Sequence, residues 1–278
     1  MRFERVDMMP KLKLGFIGAG NMAGAIIGGV LKKGLMPASQ IGIYDVDAAK
    51  GTRYQAGGHP VFQDAASLAA TCGIIILAVK PQNFSEALSE IAPAVTKETL
   101  LVSIAAGITA QSIKKAIGFD CKVVLVMPNT PMLLGAGASA LSRVEPTTPE
   151  EFERVMDIFA AGGVAREIDA SKMCEVIPVN GSSPAFIYRM AGDIAESAAR
   201  YGIDADAAMA LFCQTLVGSA KMLMESGKSP EELITMVCSP GGTTLAAMEA
   251  MGEAGFSEAV AAAFDACVKR AKELSGRA

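Results

Sequence analysis

The stretch Gly15-Phe16-Ile17-Gly18-Ala19-Gly20-Asn21-Met22-Ala23 decides the fold of this chain. It contains the pattern G-x-G-x-x-A, which follows an apolar run that predicts a β-strand and precedes a segment that predicts a helix. In such a unit the first glycine allows a tight turn and the second lets a pyrophosphate approach the backbone. The alanine allows the helix to pack closely on the strand. The stretch therefore predicts the first strand–helix unit of a dinucleotide-binding Rossmann domain.

The first half of the chain continues this alternation of short aliphatic runs and helical stretches. The runs are almost without polar residues, as in a parallel sheet that is covered on both faces. The predicted strands are 12–17, 41–44, 73–79, 100–104, 122–127 and 136–141. After about residue 169 the strand signals stop and the pattern is helical. We predict an α/β fold with an N-terminal, doubly wound, mostly parallel sheet over 1–169 and a C-terminal all-helical dimerisation domain over 170–278.

Composition excludes several classes of protein. The chain has 278 residues, of which 51% are hydrophobic and 19% charged, so it is not a disordered chain. Its net charge of −4 argues against a nucleic-acid partner, because such proteins bind phosphates through Lys and Arg. The uncharged stretch 14–31 has the length of a membrane helix. It contains six glycines, however, and we predict no membrane association.

Histidine and cysteine are used sparingly. The lone His59 precedes Pro60, and we predict that it lies on the surface. The six cysteines contain no C-x-x-C pair, so we predict no metal site and no redox dithiol. Cys72, Cys121 and Cys238 lie in apolar stretches, as reduced core cysteines do. These features favour a cytoplasmic protein.

The ends of the predicted strands carry the candidate cofactor residues, because ligands of open parallel sheets bind beyond the carboxyl ends of strands. Asp45 ends the second strand, where a carboxylate accepts from ribose hydroxyls and repels a 2′-phosphate, which favours NAD over NADP. The alternative is that Asp45 or Asp47 only caps the next helix, and the other strand ends are equally suited to simple turns. The predicted cofactor residues are Ile17, Gly18, Ala19, Gly20, Asn21, Met22, Asp45, Ala78, Val79, Lys80, Pro81, Ala105, Ala106 and Asn129.

The helical half contains one loop with binding chemistry, Ser239-Pro240-Gly241-Gly242-Thr243-Thr244. Its backbone N–H groups lead into a predicted helix and suit a carboxylate, with hydroxyls alongside, although capping without a ligand is the alternative. Thr148 and Ser229 each begin an N-terminal capping pattern, and Asp204 is the predicted cap of a long helix. The half is rich in Ala and Met with few aromatic residues, so we expect burial against a second subunit in a homodimer.

These pieces together resemble the pyrroline-5-carboxylate reductases, the last enzymes of proline synthesis. The matching segments run in order through 15–23, 78–82, 103–107, 127–131, 181–186, 214–223 and 237–244, and M-P-N-T-P with S-P-G-G-T-T is a specific combination. The resemblance implies a Rossmann domain, a helical domain interlocked with its twin in a dimer that often assembles into a ring, and NADPH or NADH as hydride donor. It implies hydride transfer to the C=N bond of 1-pyrroline-5-carboxylate, which gives L-proline.

The resemblance also implies the substrate site. The substrate carboxylate would lie on the loop that matches Ser239–Thr243, and the hydroxyl of Thr244, the implied catalytic residue, would hydrogen-bond the imine nitrogen. The implied substrate-binding residues are Ser182, Ser183, Ser239, Gly241, Gly242, Thr243 and Thr244. The chain departs from the family at Leu125, where Arg is usual, and at Pro178 and Asn180, where Gly and Ser are usual. A reductase of another cyclic imino acid is therefore an alternative.

Two further alternatives come from other classes. A β-hydroxyacid dehydrogenase shares the glycine-rich start and a helical second domain, but it needs a catalytic Lys shortly after the turn that opens the helical half. Residues 181–193 contain Arg189 and no Lys. A non-catalytic dinucleotide-binding module is the other alternative, and the loop at Ser239–Thr244 counts against it.

Overall fold

The computed structural model describes residues 12–276, so residues 1–11 and 277–278, at the outer ends of the two predicted domains, lie outside the described residues. The described strands are β1 Leu12–Ile17, β2 Ile41–Tyr44, β3 Cys72–Leu77, β4 Leu100–Ser103, β5 Lys122–Met127, β6 Gly137–Val144 and β7 Gly163–Glu167. The described α-helices are α1 Asn21–Lys32, α2 Ala48–Ala56, α3 Ala65–Thr71, α4 Phe84–Ile91, α5 Ala110–Ile117, α6 Pro149–Ala160, α7 Ser183–Arg200, α8 Ala205–Glu225, α9 Pro230–Val237, α10 Thr243–Glu253 and α11 Phe256–Leu274.

The strands form one sheet in the order β2-β1-β3-β4-β5-β6-β7. Strands β1 to β5 are parallel, β6 runs antiparallel to β5, and β7 is parallel to β6. From β1 the chain passes first to β2 on one side and then to β3 on the other. The crevice beyond the carboxyl ends of β1 and β3 is therefore the switch point where such sheets bind ligands. The predicted fold class is confirmed.

The sheet is covered on both faces, as its apolar strands require. Successive residues of β4 point to opposite sides, so that Leu101 packs in one core with Ile75 and Ile113, while Val102 packs in the other with Ile26 and Phe159. All six of these side chains are at most 1% exposed. This burial of aliphatic side chains on both faces is the main stabilisation of the fold, at roughly 1.5–3 kcal/mol for each large side chain.

The predicted helix starts are confirmed. Thr148 and Ser229 each accept a hydrogen bond from the third helical residue, a glutamate whose carboxylate returns to the backbone N–H of the cap. The carboxylate of Asp204 accepts from the N–H of Ala207 at the start of α8. These caps satisfy N–H groups that the helix itself leaves without partners.

Two sequence expectations are wrong and one strand is additional. His59 is only 6% exposed, because residues 60–62 pair with β2 and draw it inward. Its Nδ1 lies 3.3 Å from the carbonyl oxygen of Ile41, and its ring packs edge-on against Tyr54. Cys238 is half-buried rather than in a core, whereas Cys72 and Cys121 are buried. Strand β7 lies at the sheet edge, and its sequence G-V-A-R-E gave no strand signal.

The chain divides into two compact units. Of the described residues, the sheet unit comprises 12–182 and 267–276, and the helical unit comprises Ser183–Ala266. Within residues 12–276, α8 is the one helix that is long and apolar enough to cross a membrane, and 6% of its apolar window is buried. The helical unit exposes many other large apolar side chains, including Leu211, Met236 and Val237. Apolar surface of this extent is typical of a site that packs against another molecule.

Candidate active site

The glycine-rich turn after β1 is fixed by its backbone. Gly18 has φ +96°, in the left-handed region that disfavours a side chain, and its N–H donates to the carbonyl oxygen of Tyr44 at 2.8 Å. A Cβ at Gly18 would lie 2.6 Å from the carbonyl oxygen of Ala78. The fold itself therefore requires glycine at this position, and the turn is held between the ends of β2 and β3.

Gly20 is a glycine for a different reason. Its φ is −78°, which any residue adopts, and no described heavy atom lies within 4 Å of a Cβ built on it. Gly20 is the N-terminal cap of α1, makes no side-chain capping bond, and is followed by no acidic residue in the first turn. The first N–H groups of α1, at Asn21 and Met22, are therefore available to an anion, and the open space allows a phosphate to approach.

Asp45 lies at the mouth of this turn, with a side chain that is 7% exposed. One carboxylate oxygen accepts from the N–H of Ala19 at 2.7 Å, and the other accepts from the N–H of Asp47 at 2.9 Å. Burial raises the pKa of Asp45, but these hydrogen bonds and the ammonium of Lys50 outweigh burial and hold the pKa below its usual value. Asp45 is thus a fixed anion beside the nucleotide turn. The helix cap that the sequence left open between Asp45 and Asp47 is Asp47, whose side chain accepts from the N–H of Ala49 at the start of α2.

Lys50 belongs to the candidate site although no sequence pattern indicates it. Its Nζ lies 3.1 and 3.2 Å from the two carboxylate oxygens of Asp45, while its own side chain is 44% exposed. The contact depends on the direction in which α2 leaves β2, and the sequence gives no signal for that direction. Lys50 places a cation where a 2′-phosphate would have to be accommodated.

The remaining predicted cofactor segments also follow strands of the same edge. Residues 78–79 follow β3, and the N–H of Ala78 donates to the carbonyl oxygen of Ile17 at 2.8 Å, which places this segment against the glycine turn. Lys80 and Pro81 are exposed at the start of the next helical turn. Ala105 and Ala106 follow β4 and are half-buried. The small side chains at this edge of the sheet leave room for the flat nicotinamide ring of a dinucleotide.

Asn129 uses its side chain within the protein. Its Oδ1 accepts from the N–H of Ala138 at 2.8 Å, and its Nδ2 donates to the carbonyl oxygen of Asn180 at 3.1 Å. The Nδ2 of Asn180 in turn donates to the carbonyl oxygens of Met127 and Ala138, at 2.7 and 2.9 Å. Both asparagines are 8% exposed. A role of Asn129 in cofactor binding would therefore rest on its backbone.

The predicted substrate residues belong to two segments. Ser182 ends the sheet unit, and its Oγ lies 3.3 Å from the Sγ of Cys267; Ser183 begins α7. The second segment lies in the helical unit, where Gly241 has φ +68° and the N–H of Gly242 closes a turn onto the carbonyl oxygen of Ser239. Gly242 caps α10 without a side-chain bond and with no acidic residue in the first turn. This uncapped helix start suits a carboxylate.

Thr244 is half-buried on the first turn of α10, where it lines a groove of about 1030 Å³ within the helical unit. The other walls of the groove are largely apolar and include Met222, Leu233, Val237 and Met248. The Thr244 hydroxyl is therefore a polar group at the edge of an apolar surface.

The fold and the nucleotide turn together define a class. A doubly wound sheet with an uncapped helix start at its switch point and a fixed carboxylate after the neighbouring strand is typical of the dinucleotide-binding half of an NAD(P)-dependent oxidoreductase. Residues 13–107 match the family model "NADP oxidoreductase coenzyme F420-dependent", and residues 170–274 match "Pyrroline-5-carboxylate reductase dimerisation".

Relatives identify the family. The chain is 38% identical to pyrroline-5-carboxylate reductase of Escherichia coli over 95% of its length and 98% of that protein, and 38% identical to the enzyme of Methanosarcina acetivorans over 96% and 99%. The crystal structure of the Plasmodium falciparum enzyme with NADP bound is similar with a TM-score of 0.87, at 27% identity over 96% of this chain and all of that one. The chain belongs to the pyrroline-5-carboxylate reductase family. The resemblance inferred from the sequence is confirmed, and the dimerisation match shows that the chain associates with copies of itself.

Proposed function

We propose that the protein transfers a hydride from NADPH or NADH to the C=N carbon of 1-pyrroline-5-carboxylate and releases L-proline. The substrate reacts as the protonated imine, so the π electrons of C=N move to a nitrogen that already carries its proton, and the bound coenzyme would supply the hydride and be oxidised. The observation that carries the proposal is the presence of two uncapped helix starts with distinct surroundings in a chain of this family. One starts α1 beside Asp45, and the other starts α10 at Gly242 beside Thr244.

The residues of the sheet unit hold the coenzyme, which supplies the hydride when it is bound. The N–H groups of Asn21 and Met22 at the start of α1 receive the pyrophosphate, which approaches over Gly20. Asp45 receives the adenosine ribose. Ala78, Val79, Lys80, Pro81, Ala105 and Ala106 line the strand ends along which the rest of the coenzyme lies, with the backbone of Asn129 at the far end. The Asp45–Lys50 pair is close to neutral, so that it accepts the ribose hydroxyls of NADH without excluding NADPH.

The residues of the helical unit and of the segment before it hold the substrate. The N–H groups and hydroxyls of Ser239–Thr243 bind the carboxylate, Ser182 and Ser183 line the site, and the hydroxyl of Thr244 hydrogen-bonds the imine nitrogen. Because a protonated imine is already electrophilic, the reaction needs positioning more than a strong acid. This need is met by a chain whose one histidine, His59, packs against β2 instead.

Association and location complete the proposal. The apolar groove and the exposed apolar face of α8 pack against a second copy in a homodimer, and dimers assemble into a larger ring. The enzyme works in the cytoplasm without membrane or nucleic acid. This assignment sets aside the β-hydroxyacid dehydrogenase and the non-catalytic module as functions of the chain.

The test is a paired assay of substrate and coenzyme. Oxidation of NADPH and of NADH is followed with 1-pyrroline-5-carboxylate, with a six-membered cyclic imino acid and with a 3-keto acid. The proposal expects the five-membered imine to react with the highest kcat/KM. Preference for the larger ring would favour the alternative imino acid, and reaction of the keto acid alone would overturn imine reduction.

A further inference from the structure

The two asparagines that link the end of β5 to the segment before α7 form a closed clamp. Four hydrogen bonds join Asn129 and Asn180 to each other and to the backbone of Met127 and Ala138. Because the side chains are buried, water does not compete for these bonds. The clamp therefore fixes two segments that are 51 residues apart in the chain.

The side chains of the clamp make the hydrogen bonds that the next residue pair of β5 and β6 would make. Strands β5 and β6 pair antiparallel up to Met127 opposite Ala140, and the same register would bring Asn129 opposite Ala138. Pro128, which has no N–H, ends the ladder there. The Oδ1 of Asn129 accepts from the Ala138 N–H and the Nδ2 of Asn180 donates to its carbonyl oxygen, as a continued strand would do.

Asn180 is also a position where the resemblance to the family implies serine. A serine hydroxyl has one hydrogen and bonds one carbonyl at a time, whereas the Asn180 amide bonds the carbonyl oxygens of Met127 and Ala138 together. The Oδ1 of Asn180 has no hydrogen-bond partner among the described residues although it is buried. An unpaired buried acceptor is unfavourable, so stability alone does not account for an amide at this position.

We propose that Asn180 is a positioning residue for the reduction. It fixes the distance and orientation between the turn at Met127–Pro131 and the segment at Gly181–Ser182. The inference rests on the proposed function, since the first segment ends the coenzyme edge of the sheet and the second contributes to the substrate site. Displacement of either segment changes the distance between the hydride donor and the imine carbon. Misplacement by an ångström lowers rates by up to about 100-fold.

The test uses two variants and a matched control. Asn180→Asp keeps the shape of the side chain but replaces the donating Nδ2 with an oxygen, which then faces the carbonyl oxygens of Met127 and Ala138. Asn180→Ser keeps one hydroxyl donor for one of these two carbonyls. The control is Thr147→Val, at the opposite end of β5. The buried Thr147 hydroxyl bonds both the N–H and the carbonyl oxygen of Val123, at 3.0 and 3.1 Å, so its loss also costs two backbone bonds on β5.

The measurements are Tm, the Kd of AMP, steady-state kinetics with the five-membered imine, and the primary deuterium isotope effect on kcat/KM with reduced coenzyme labelled at the transferred hydrogen. We expect both Asn180 variants to lower kcat, by roughly 10- to 100-fold for Asn180→Asp, and to raise the isotope effect, because hydride transfer becomes slower than the binding steps. AMP affinity should stay within about twofold, since the clamp does not touch the nucleotide turn. Thr147→Val should lower Tm and leave kcat and the isotope effect near those of the wild type.

An Asn180→Ser enzyme with the wild-type isotope effect and kcat would overturn the inference, even if Asn180→Asp failed to fold. The same follows if both variants behave as Thr147→Val does, because loss of folded protein removes active sites without changing the isotope effect. An inactive wild type would overturn the proposed function together with this inference. An active wild type with unaffected Asn180 variants would overturn this inference alone.

Discussion

Replacement of Gly18 and of Gly20 by alanine separates the fold of the nucleotide turn from its binding function. At Gly18 the new methyl group would lie 2.6 Å from the Ala78 carbonyl oxygen, with φ in the left-handed region at +96°. The backbone strain costs roughly 1–2 kcal/mol and the close contact roughly 1–3 kcal/mol more, so the free energy of unfolding should fall by about 2–5 kcal/mol. For a domain of this size that lowers Tm by on the order of 5–15 °C.

Gly20→Ala is the matched variant. Its methyl group meets no described atom within 4 Å and its backbone is ordinary, so Tm should change by no more than about 2 °C. The methyl group does occupy the space through which a pyrophosphate approaches α1, and NADH affinity should fall by roughly tenfold or more.

Thermal unfolding without coenzyme and calorimetric titration with NADH check the two variants in parallel. A wild-type Tm in Gly18→Ala would contradict the strain expected at this position. Wild-type NADH affinity in Gly20→Ala would mean that the pyrophosphate does not lie at this helix start.

The other predictions concern separate parts of the protein. Thr244→Ala should lower turnover with 1-pyrroline-5-carboxylate by roughly 100-fold or more while the Kd of NADH is unchanged, and a wild-type rate in steady-state assays would remove Thr244 from the reaction. Asp45→Ser should raise the NADPH-to-NADH ratio of kcat/KM by about tenfold, because a charge that repels the 2′-phosphate is lost; an unmoved ratio would contradict this. Val237→Glu places a charge in the apolar groove and should reduce the molar mass measured by light scattering, so an unchanged mass would count against this surface as the interface. Burial raises the pKa of Cys72 to about 12, so little thiolate forms at about pH 8, and mass spectrometry should find Cys72 unmodified by iodoacetamide until the protein unfolds; rapid labelling of native protein would show that the thiol is accessible.

Elements whose bounds depend on neighbouring residues agree closely with the sequence predictions. The predicted strands 12–17, 41–44 and 122–127 have the observed bounds, because each is an unbroken aliphatic run with turn residues at both ends. The capped starts of α6 and α9 follow from side chains that bond their own backbone within one turn. In both cases the interacting groups are neighbours in the sequence.

The features that were not predicted arise from contacts between distant segments. His59 is buried because Val61 pairs with Ile43, an arrangement that no local pattern indicates. In the site, Asp45 could be predicted from its place after a strand, but Lys50 reaches it only through the geometry of α2. The clamp of Asn129 with Asn180 likewise exists only once β5 and β6 have formed, so the sequence marked Asn180 as a departure and did not reveal its role.

The return of the chain to the sheet unit at Cys267 has a consequence for biosynthesis. Because proteins are made from the amino end, the whole helical unit leaves the ribosome before the last segment of the sheet unit does. That segment includes Leu274, which lies against Gly107 in the turn after β4, and Lys272, which pairs with Glu175. A nascent chain whose residues from Cys267 onward have not yet emerged therefore has every described strand of the sheet, but it lacks the contact of Leu274 with the turn after β4 and the ion pair of Lys272 with Glu175.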